Sequence, residues 1–277
     1  MKKNRNWPKI LMYLILIVYA LITLYPFLWA VSASFKSLGE ITNSSFNIIP
    51  KEPTLANYGN LFSSNSYFLR WTLNSIVIST VGTIINVFLN SMAGYSLSRL
   101  NYPGKNAIFF ALIAALTVPG QVLLITNFLV MKNMGLLNTY GSIVIPAAVN
   151  ITYIFLMKQY FTNFSKEVEE AAKLDGLNGP QTFFYISMPL AKPIIATQAT
   201  FLFLGFWNDF TRPMLYLKDV QKFTLPLGIQ YTQSKFSGFT QWDQIMTASV
   251  VSLIPILLMY ILLNKYFMQG VRLDGEK

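Results

Sequence analysis

Residues 170–189 read EAAKLDGLNGPQTFFYISMP, a polar segment between two apolar runs of membrane-spanning length. Its acids, Glu170 and Asp175 with the preceding Glu169, lie close to Gly176, a residue type that readily ends a helix. A loop that only joins two membrane helices needs no such detail. We therefore expect this segment to dock on a soluble partner outside the membrane, with its carboxylates placed to meet cations there.

The local sequence predicts two short helices joined by a turn. Ser165 is placed to cap the first helix, 166–174, and Gly176 ends it because glycine readily adopts positive φ. Pro180 suits the first turn of the second helix, which we expect to stop at Pro189. The first helix carries a small apolar stripe formed by Val168, Ala171 and Ala172.

The composition is that of a membrane protein. Of the 277 residues, 53% are hydrophobic and 12% charged, whereas soluble domains carry roughly 25% charged residues. Apolar runs of about 20 residues, enough to cross a bilayer, recur along the chain. We predict one all-α domain over residues 1–277. Its six spans are expected near residues 10–33, 72–97, 107–130, 139–160, 194–215 and 244–267.

The residues that the chain lacks argue against catalysis. It contains no cysteine and no histidine, which removes thiolate metal ligands and the commonest general base. It also has no GxxxxGK[ST] phosphate loop, so it cannot hydrolyse ATP by that route. We therefore expect no catalytic residue, no metal site and no cofactor in this chain.

The net charge of +10 is explained by membrane topology and not by nucleic-acid binding. With both termini inside, the inner segments hold 13 Lys and Arg residues and the outer segments hold 8. Basic residues favour the cytoplasmic side, so we predict that the N- and C-termini are inside. The polar loop at 161–193 is then cytoplasmic.

Polar and small residues repeat along one face of the second span. Gly82, Asn86, Asn90 and Gly94 are spaced four residues apart and so lie on the same side of a helix. This face suits close helix packing or a polar pathway, and both interpretations remain open. Prolines in the middle of other spans permit kinks. They are Pro26, Pro119, Pro146 and Pro255.

The 170–189 segment resembles the EAA loop of ATP-binding-cassette importer permeases. That family pattern is Glu-Ala-Ala, three residues, Gly, nine residues, Ile, one residue, then Leu-Pro, and Met188 here replaces the leucine. The resemblance implies a coupling helix, between spans four and five, that seats in a cleft of a cytoplasmic ATPase. The coupling residues it implies are Glu170, Ala171, Ala172, Asp175, Gly176, Ile186 and Pro189.

Three further stretches look like the carbohydrate-uptake branch of these permeases, in particular the maltose-type second permease. They are FWNDFTRPMLYL (206–217), TLPLGI (224–229) and FMQGVRLDGEK (267–277). In the last stretch, Arg272, Leu273 and Asp274 depart from the small-residue tail of that branch.

The resemblance implies a bacterial cell-membrane permease that works by alternating access. Its partners would be a sister permease, two ATPase subunits that bind ATP and Mg, an extracytoplasmic binding protein and a carbohydrate substrate. One alternative is a permease for a polyol, a glycerol phosphate or an amino acid. Another is a secondary carrier that works alone.

A sugar pathway needs hydrogen-bonding side chains and aromatic faces. Trp207, Asn208 and Asp209 offer both near the end of the fifth span, although Asp209 also lies within reach of Arg212. Further amide groups are predicted along the pathway at Asn86, Asn90 and Gln121.

Overall fold

The computed structural model describes residues 7–43, 47–63, 66–235 and 240–274, and within these ranges the chain forms helices and no strand. The α-helices are α1 Trp7–Ala33, α2 Leu38–Asn43, α3 Ala56–Leu61, α4 Phe68–Arg99, α5 Lys105–Ala115, α6 Leu123–Asn133, α7 Gly141–Val144, α8 Ile151–Asn163, α9 Lys166–Leu174, α10 Gly179–Thr182, α11 Met188–Leu190, α12 Lys192–Trp207, α13 Thr211–Tyr216, α14 Leu225–Lys235 and α15 Trp242–Asp274. Two 3₁₀ turns (Ile145–Ala147, Val220–Lys222) and a π-helical turn (Phe183–Ser187) complete the described elements.

Within the residues that the structure describes, three helical stretches are long and apolar enough to cross a membrane by themselves. They are α1, α4 and the part of α15 over Trp242–Leu263. These stretches coincide with the first, second and sixth predicted spans. Pro26 and Pro255 lie inside α1 and α15, and neither proline interrupts its helix.

The third and fourth predicted spans are broken rather than continuous. Lys105–Ala115 and Gly120–Asn133 meet at 83°, and Gly141–Ala147 and Ile151–Asn163 meet at 46°. Pro119 lies at the first break, and Pro146 lies in the 3₁₀ turn beside the second. Proline lacks the amide hydrogen that a continuing helix requires, which accounts for the break at Pro119. The second break follows Ala147 and lies C-terminal to Pro146, so the missing amide of Pro146 does not explain it.

The fifth predicted span, 194–215, also differs from the structure. Helix α12 ends at Trp207, and α13 begins only at Thr211. At its other end α12 follows the helical segment Gly179–Leu190 across a bend of 78°. If each bent pair counts as one span, the described residues contain up to six candidate spans.

The chain divides into two compact units. The first contains Met1–Leu69 and Ile229–Ile254. Within it, Asn57 donates from Nδ2 to the carbonyls of Ser34 (3.0 Å) and Lys36 (2.8 Å). These bonds satisfy main-chain groups after α1, where helical hydrogen bonding stops.

The second unit contains Arg70–Gly228 and Pro255–Lys277. Two glycines of α4 allow close packing inside it. A Cβ atom at Gly82 would lie 2.7 Å from the Phe206 ring, and one at Gly94 would lie 2.6 Å from Met157 Cβ. The structure therefore confirms the packing interpretation of this α4 face at its glycines.

Two sequence expectations concern residues outside the described ranges. The basic N-terminus includes Lys2, Lys3 and Arg5, and the end of the tail comprises residues 275–277. The expectation of a single domain over 1–277 stays a prediction.

Candidate functional site

The segment 161–193 contains the two short helices predicted from its sequence. Helix α9 covers Lys166–Leu174, as expected. Glu167 and Glu169 lie in its first turn, where negative side chains favour a helix because they face its positive end. Ser165 occupies the N-cap position, but its side chain makes no capping hydrogen bond, so that part of the prediction is wrong.

Helix α9 ends in a Schellman motif at Gly176. The Gly176 amide donates to the Lys173 carbonyl, and the Leu177 amide donates to the Ala172 carbonyl, each over 3.0 Å. Gly176 has φ of 84°, a left-handed conformation that costs a residue with a side chain about 1–2 kcal/mol. The predicted glycine stop is confirmed.

The second helix begins with a capping box that our sequence analysis missed. Asn178 Oδ1 accepts from the Gln181 amide over 3.0 Å, and Gln181 Oε1 accepts from the Asn178 amide over 2.9 Å. The Asn-x-x-Gln pattern is the signal that identifies it. The helical segment passes the expected end at Pro189 and stops at Leu190.

Helix α9 has one buried and one exposed face. Glu169 and Ala172, three residues apart, are buried inside the chain. Glu170 and Ala171 are exposed, and Leu174 has 90% of its surface exposed. A partner can therefore reach Glu170, Ala171 and Leu174, whereas Ala172 packs within this chain.

The buried glutamate forms an ion pair with the last residue of α4. Arg99 Nε lies 3.4 Å from Glu169 Oε1, and the two side chains are only 7% and 11% exposed. Arg99 also donates a hydrogen bond to the Phe164 carbonyl. Glu169 therefore meets a cation of its own chain, which corrects our expectation that it faces a partner.

Sequence reasoning assigned no role to Arg99 beyond membrane orientation. The spacing of α9 places Glu169 on one helix face with Ala172 and Glu170 on another with Glu167 and Leu174, but it does not say which face is buried. The identity of the cation is not encoded locally, because Arg99 belongs to another helix.

Aromatic rings connect the same end of α4 to both sides of α9. The Tyr95 ring centroid lies 5.4 Å from that of Phe161 in α8 and 5.0 Å from that of Phe183. Phe183 opens the π-helical turn, which buries this ring and leaves the next two side chains, Phe184 and Tyr185, exposed. Each aromatic contact contributes about 0.5–1.5 kcal/mol beyond area burial.

The predicted pathway residues Asn86 and Asn90 are fully buried. They form hydrogen bonds with main-chain groups at the break in the fourth span. Asn86 donates to the Ala147 carbonyl, and Asn90 donates to the Asn86 side chain. Asn90 Oδ1 accepts from the Asn150 amide over 3.0 Å. Main-chain groups freed by a broken span need such partners in the absence of water.

The other predicted pathway residues lie at two breaks. Trp207 is buried at the end of α12, and Asn208 beside it is exposed. Asp209 Oδ2 lies 2.6 Å from Arg212 Nε. Gln121 is exposed in the break between α5 and α6. Among the described residues, no three carboxylates come together as a metal site would require.

The fold and this segment define a class: a helical integral membrane protein in which a two-helix segment precedes α12. The chain belongs to the family of binding-protein-dependent transport system inner membrane components, whose pattern matches residues 87–273. The importer-permease family expected from residues 170–189 is therefore confirmed, and so is the inner-membrane location.

Similar proteins match over almost the whole chain. The polygalacturonan/rhamnogalacturonan transport system permease protein YtcP of Bacillus subtilis (strain 168) is 33% identical over 288 residues, with 99% of each chain covered. The arabinooligosaccharides transport system permease protein AraQ of Halalkalibacterium halodurans is 30% identical, covering 93% of this chain and 92% of that protein.

A solved structure has the same fold. It is a chain of a bacterial ABC transporter involved in the import of the acidic polysaccharide alginate. The TM-score is 0.87 at 25% identity, and the match covers 96% of this chain and 99% of that chain.

Proposed function

We propose that this chain is one of two membrane permeases of an ATP-driven carbohydrate importer, and that segment 161–193 is its cytoplasmic coupling loop. The observation that carries the proposal is the exposed face of α9. Glu170 and Leu174 project from a helix that Gly176 stops and Arg99 holds. An exposed leucine beside a carboxylate suits a protein cleft with a cation at its rim.

The orientation of the proposed transporter rests on its charges. The 13 to 8 excess of Lys and Arg on the inner segments supports cytoplasmic N- and C-termini. This orientation brings segment 161–193 to the side where ATP and a soluble ATPase are found.

The proposed mechanism is alternating access. An extracytoplasmic binding protein delivers the solute, and two ATPase subunits bind ATP and Mg and close on each other. The coupling loop converts this closure into movement of the spans, and a sister permease completes the pathway. This chain would do no covalent chemistry.

The carbohydrate cargo is supported by the relatives, whose names specify polygalacturonan, rhamnogalacturonan and arabinooligosaccharides. A glycerol phosphate would require a cation for its phosphate. Arg212, the candidate near the end of the fifth span, already pairs with Asp209 at 2.6 Å, which disfavours that alternative.

Five of the six predicted pathway residues fall into two groups by accessibility. Asn208 and Gln121 are exposed and suited to hydrogen-bond a sugar. Asn86, Asn90 and Trp207 are buried, and we propose that they shape the pathway by supporting its walls.

The first test is purification of the tagged chain in mild detergent, with mass spectrometry of the proteins that accompany it. We expect a protein with a phosphate loop and a second permease. A stable complex that contains this chain alone, or transport that continues without ATP, would favour a stand-alone carrier.

The Glu170→Lys variant tests the contact itself. We expect about tenfold less ATPase subunit in the purified complex, because a like charge would face the cation of the partner. Glu52→Lys, the same change at an exposed residue of the other compact unit, serves as the control. Undiminished ATPase recovery with Glu170→Lys would show that this carboxylate faces water.

A further inference from the structure

Two adjacent glutamates of α9 have opposite surroundings. Glu170 is exposed, whereas Glu169 is buried against Arg99. We propose that the Arg99–Glu169 ion pair is the joint that transmits displacement of α9 to α4, with Arg99 as a positioning residue for coupled transport. This inference rests on the coupling role proposed above.

Arg99 holds α9 at two points. Its guanidinium pairs with Glu169 inside the helix and donates to the carbonyl of Phe164, which precedes the helix. It also lies 5.8 Å from the centre of the Phe164 ring. Since these contacts flank the N-terminus of α9, a tilt of α9 relative to the end of α4 would have to break at least one of them.

The other contacts at this end of α4 hold different parts of the segment. Tyr95 packs on Phe161 of α8 and on Phe183 of the π-helical turn. Neither of these ring contacts involves a residue of α9, so they do not connect α9 itself to α4. The hydrogen bond from Arg99 to the Phe164 carbonyl is charge-assisted and therefore directional, and the buried ion pair with Glu169 adds a second attraction between the end of α4 and α9.

The test compares hydrogen–deuterium exchange of the complete transporter without nucleotide and after trapping with ATP, Mg and vanadate. In the wild type we expect trapping to change exchange in both α9 and the C-terminal turns of α4. In Glu169→Gln the change should persist in α9 and fall at least fivefold in α4.

Two further variants separate transmission from stability. Arg99→Met/Glu169→Leu replaces a buried pair by apolar side chains, which restores stability in many proteins. We expect it to restore the melting temperature but not the exchange change in α4. Glu52→Gln removes an exposed carboxylate from the other compact unit and should behave as the wild type.

The outcomes distinguish this inference from the proposed function. A wild-type complex without an ATPase, or without any response to trapping, would overturn the proposed function. If the exchange change in α4 survives in Glu169→Gln, or if Arg99→Met/Glu169→Leu restores it, the ion pair is not the joint between α9 and α4. An equal loss in Glu52→Gln would also overturn this inference, because the effect would then not depend on the Arg99–Glu169 contact.

Discussion

The two ends of α4 are attached to their neighbours in different ways. At the N-terminal end, Trp71 Nε1 donates to the Val220 carbonyl over 2.7 Å, and Asn74 donates to two carbonyls of the same loop. At the C-terminal end, Arg99 and Tyr95 bind mainly side chains. Main-chain contacts hold the loop whatever side chains it carries, whereas the C-terminal attachment depends on particular residues.

The charges at the two ends also differ in burial. The Arg99 and Glu169 side chains are 7% and 11% exposed, so removal of one partner would cost about 3–5 kcal/mol. Near the N-terminal end, Lys222 Nζ lies 3.1 Å from Asp219 Oδ2, with side chains 40% and 56% exposed. Salt screens such a pair, so electrostatic coupling is strong only at the C-terminal end.

Among the glycine and pH predictions, the largest expected effect on stability concerns two glycines packed near the two ends of α4. A Cβ atom at Gly228 would lie 2.1 Å from Trp71 Cε3, and one at Gly94 would lie 2.6 Å from Met157 Cβ. We expect Gly228→Ala and Gly94→Ala to destabilise the protein by about 1–3 kcal/mol, with the larger effect at Gly228. Thermal melting in detergent measures both.

Gly59→Ala is the control for these variants, because nothing lies within 4 Å of its added Cβ. If Gly228→Ala has the same melting temperature as the control, the Trp71 indole must move aside freely. The packing at the N-terminal end of α4 would then not be tighter than the packing at the C-terminal end.

A smaller effect on stability, with a selective effect on transport, is expected at Gly176. Gly176 and Gly104 have nearly the same φ, 84° and 83°, and open space around an added Cβ. Valine at either position should cost about 1–2 kcal/mol, because a side chain resists positive φ. Only Gly176→Val should uncouple ATP hydrolysis from uptake, measured in reconstituted vesicles.

Gly104→Val is thus a matched strain control outside segment 161–193. Equal loss of uptake in the two variants would indicate a general effect of strain, and wild-type uptake with Gly176→Val would count against the coupling role.

The smallest expected effect is the pH dependence of stability that Asp219 confers near the N-terminal end of α4. A hydrogen bond from Asn138, with the nearby Lys222 ammonium, holds the pKa of Asp219 below its ordinary value. Its stabilising contribution is therefore present above the ordinary pKa of about 3.9 and is lost as pH falls through the lower folded value. Asp219→Asn should lower the melting temperature slightly at pH 6, and the difference should shrink towards pH 3.

A difference between Asp219→Asn and wild type that stays constant from pH 6 to pH 3 would contradict this assignment. It would mean that the carboxylate contributes through shape alone.

Much of the candidate site could be predicted from local sequence. The bounds of α9 and the stop at Gly176 follow from helix-favouring residues and one glycine. The breaks in the spans were harder to predict from sequence. Pro26 and Pro119 are both prolines within apolar runs, but only Pro119 lies at a break. Asn86 and Asn90 form hydrogen bonds with main-chain groups of another span, and no local sequence pattern predicts these contacts.

The sequence by itself determined the membrane class, the two-helix segment and the family, because hydropathy, turn chemistry and motif spacing act over short stretches of chain. Only the tertiary structure decided that Glu169 turns inward and Glu170 outward. The rotation of a short helix about its axis depends on what packs against it, and here that partner is Arg99, at the end of another helix.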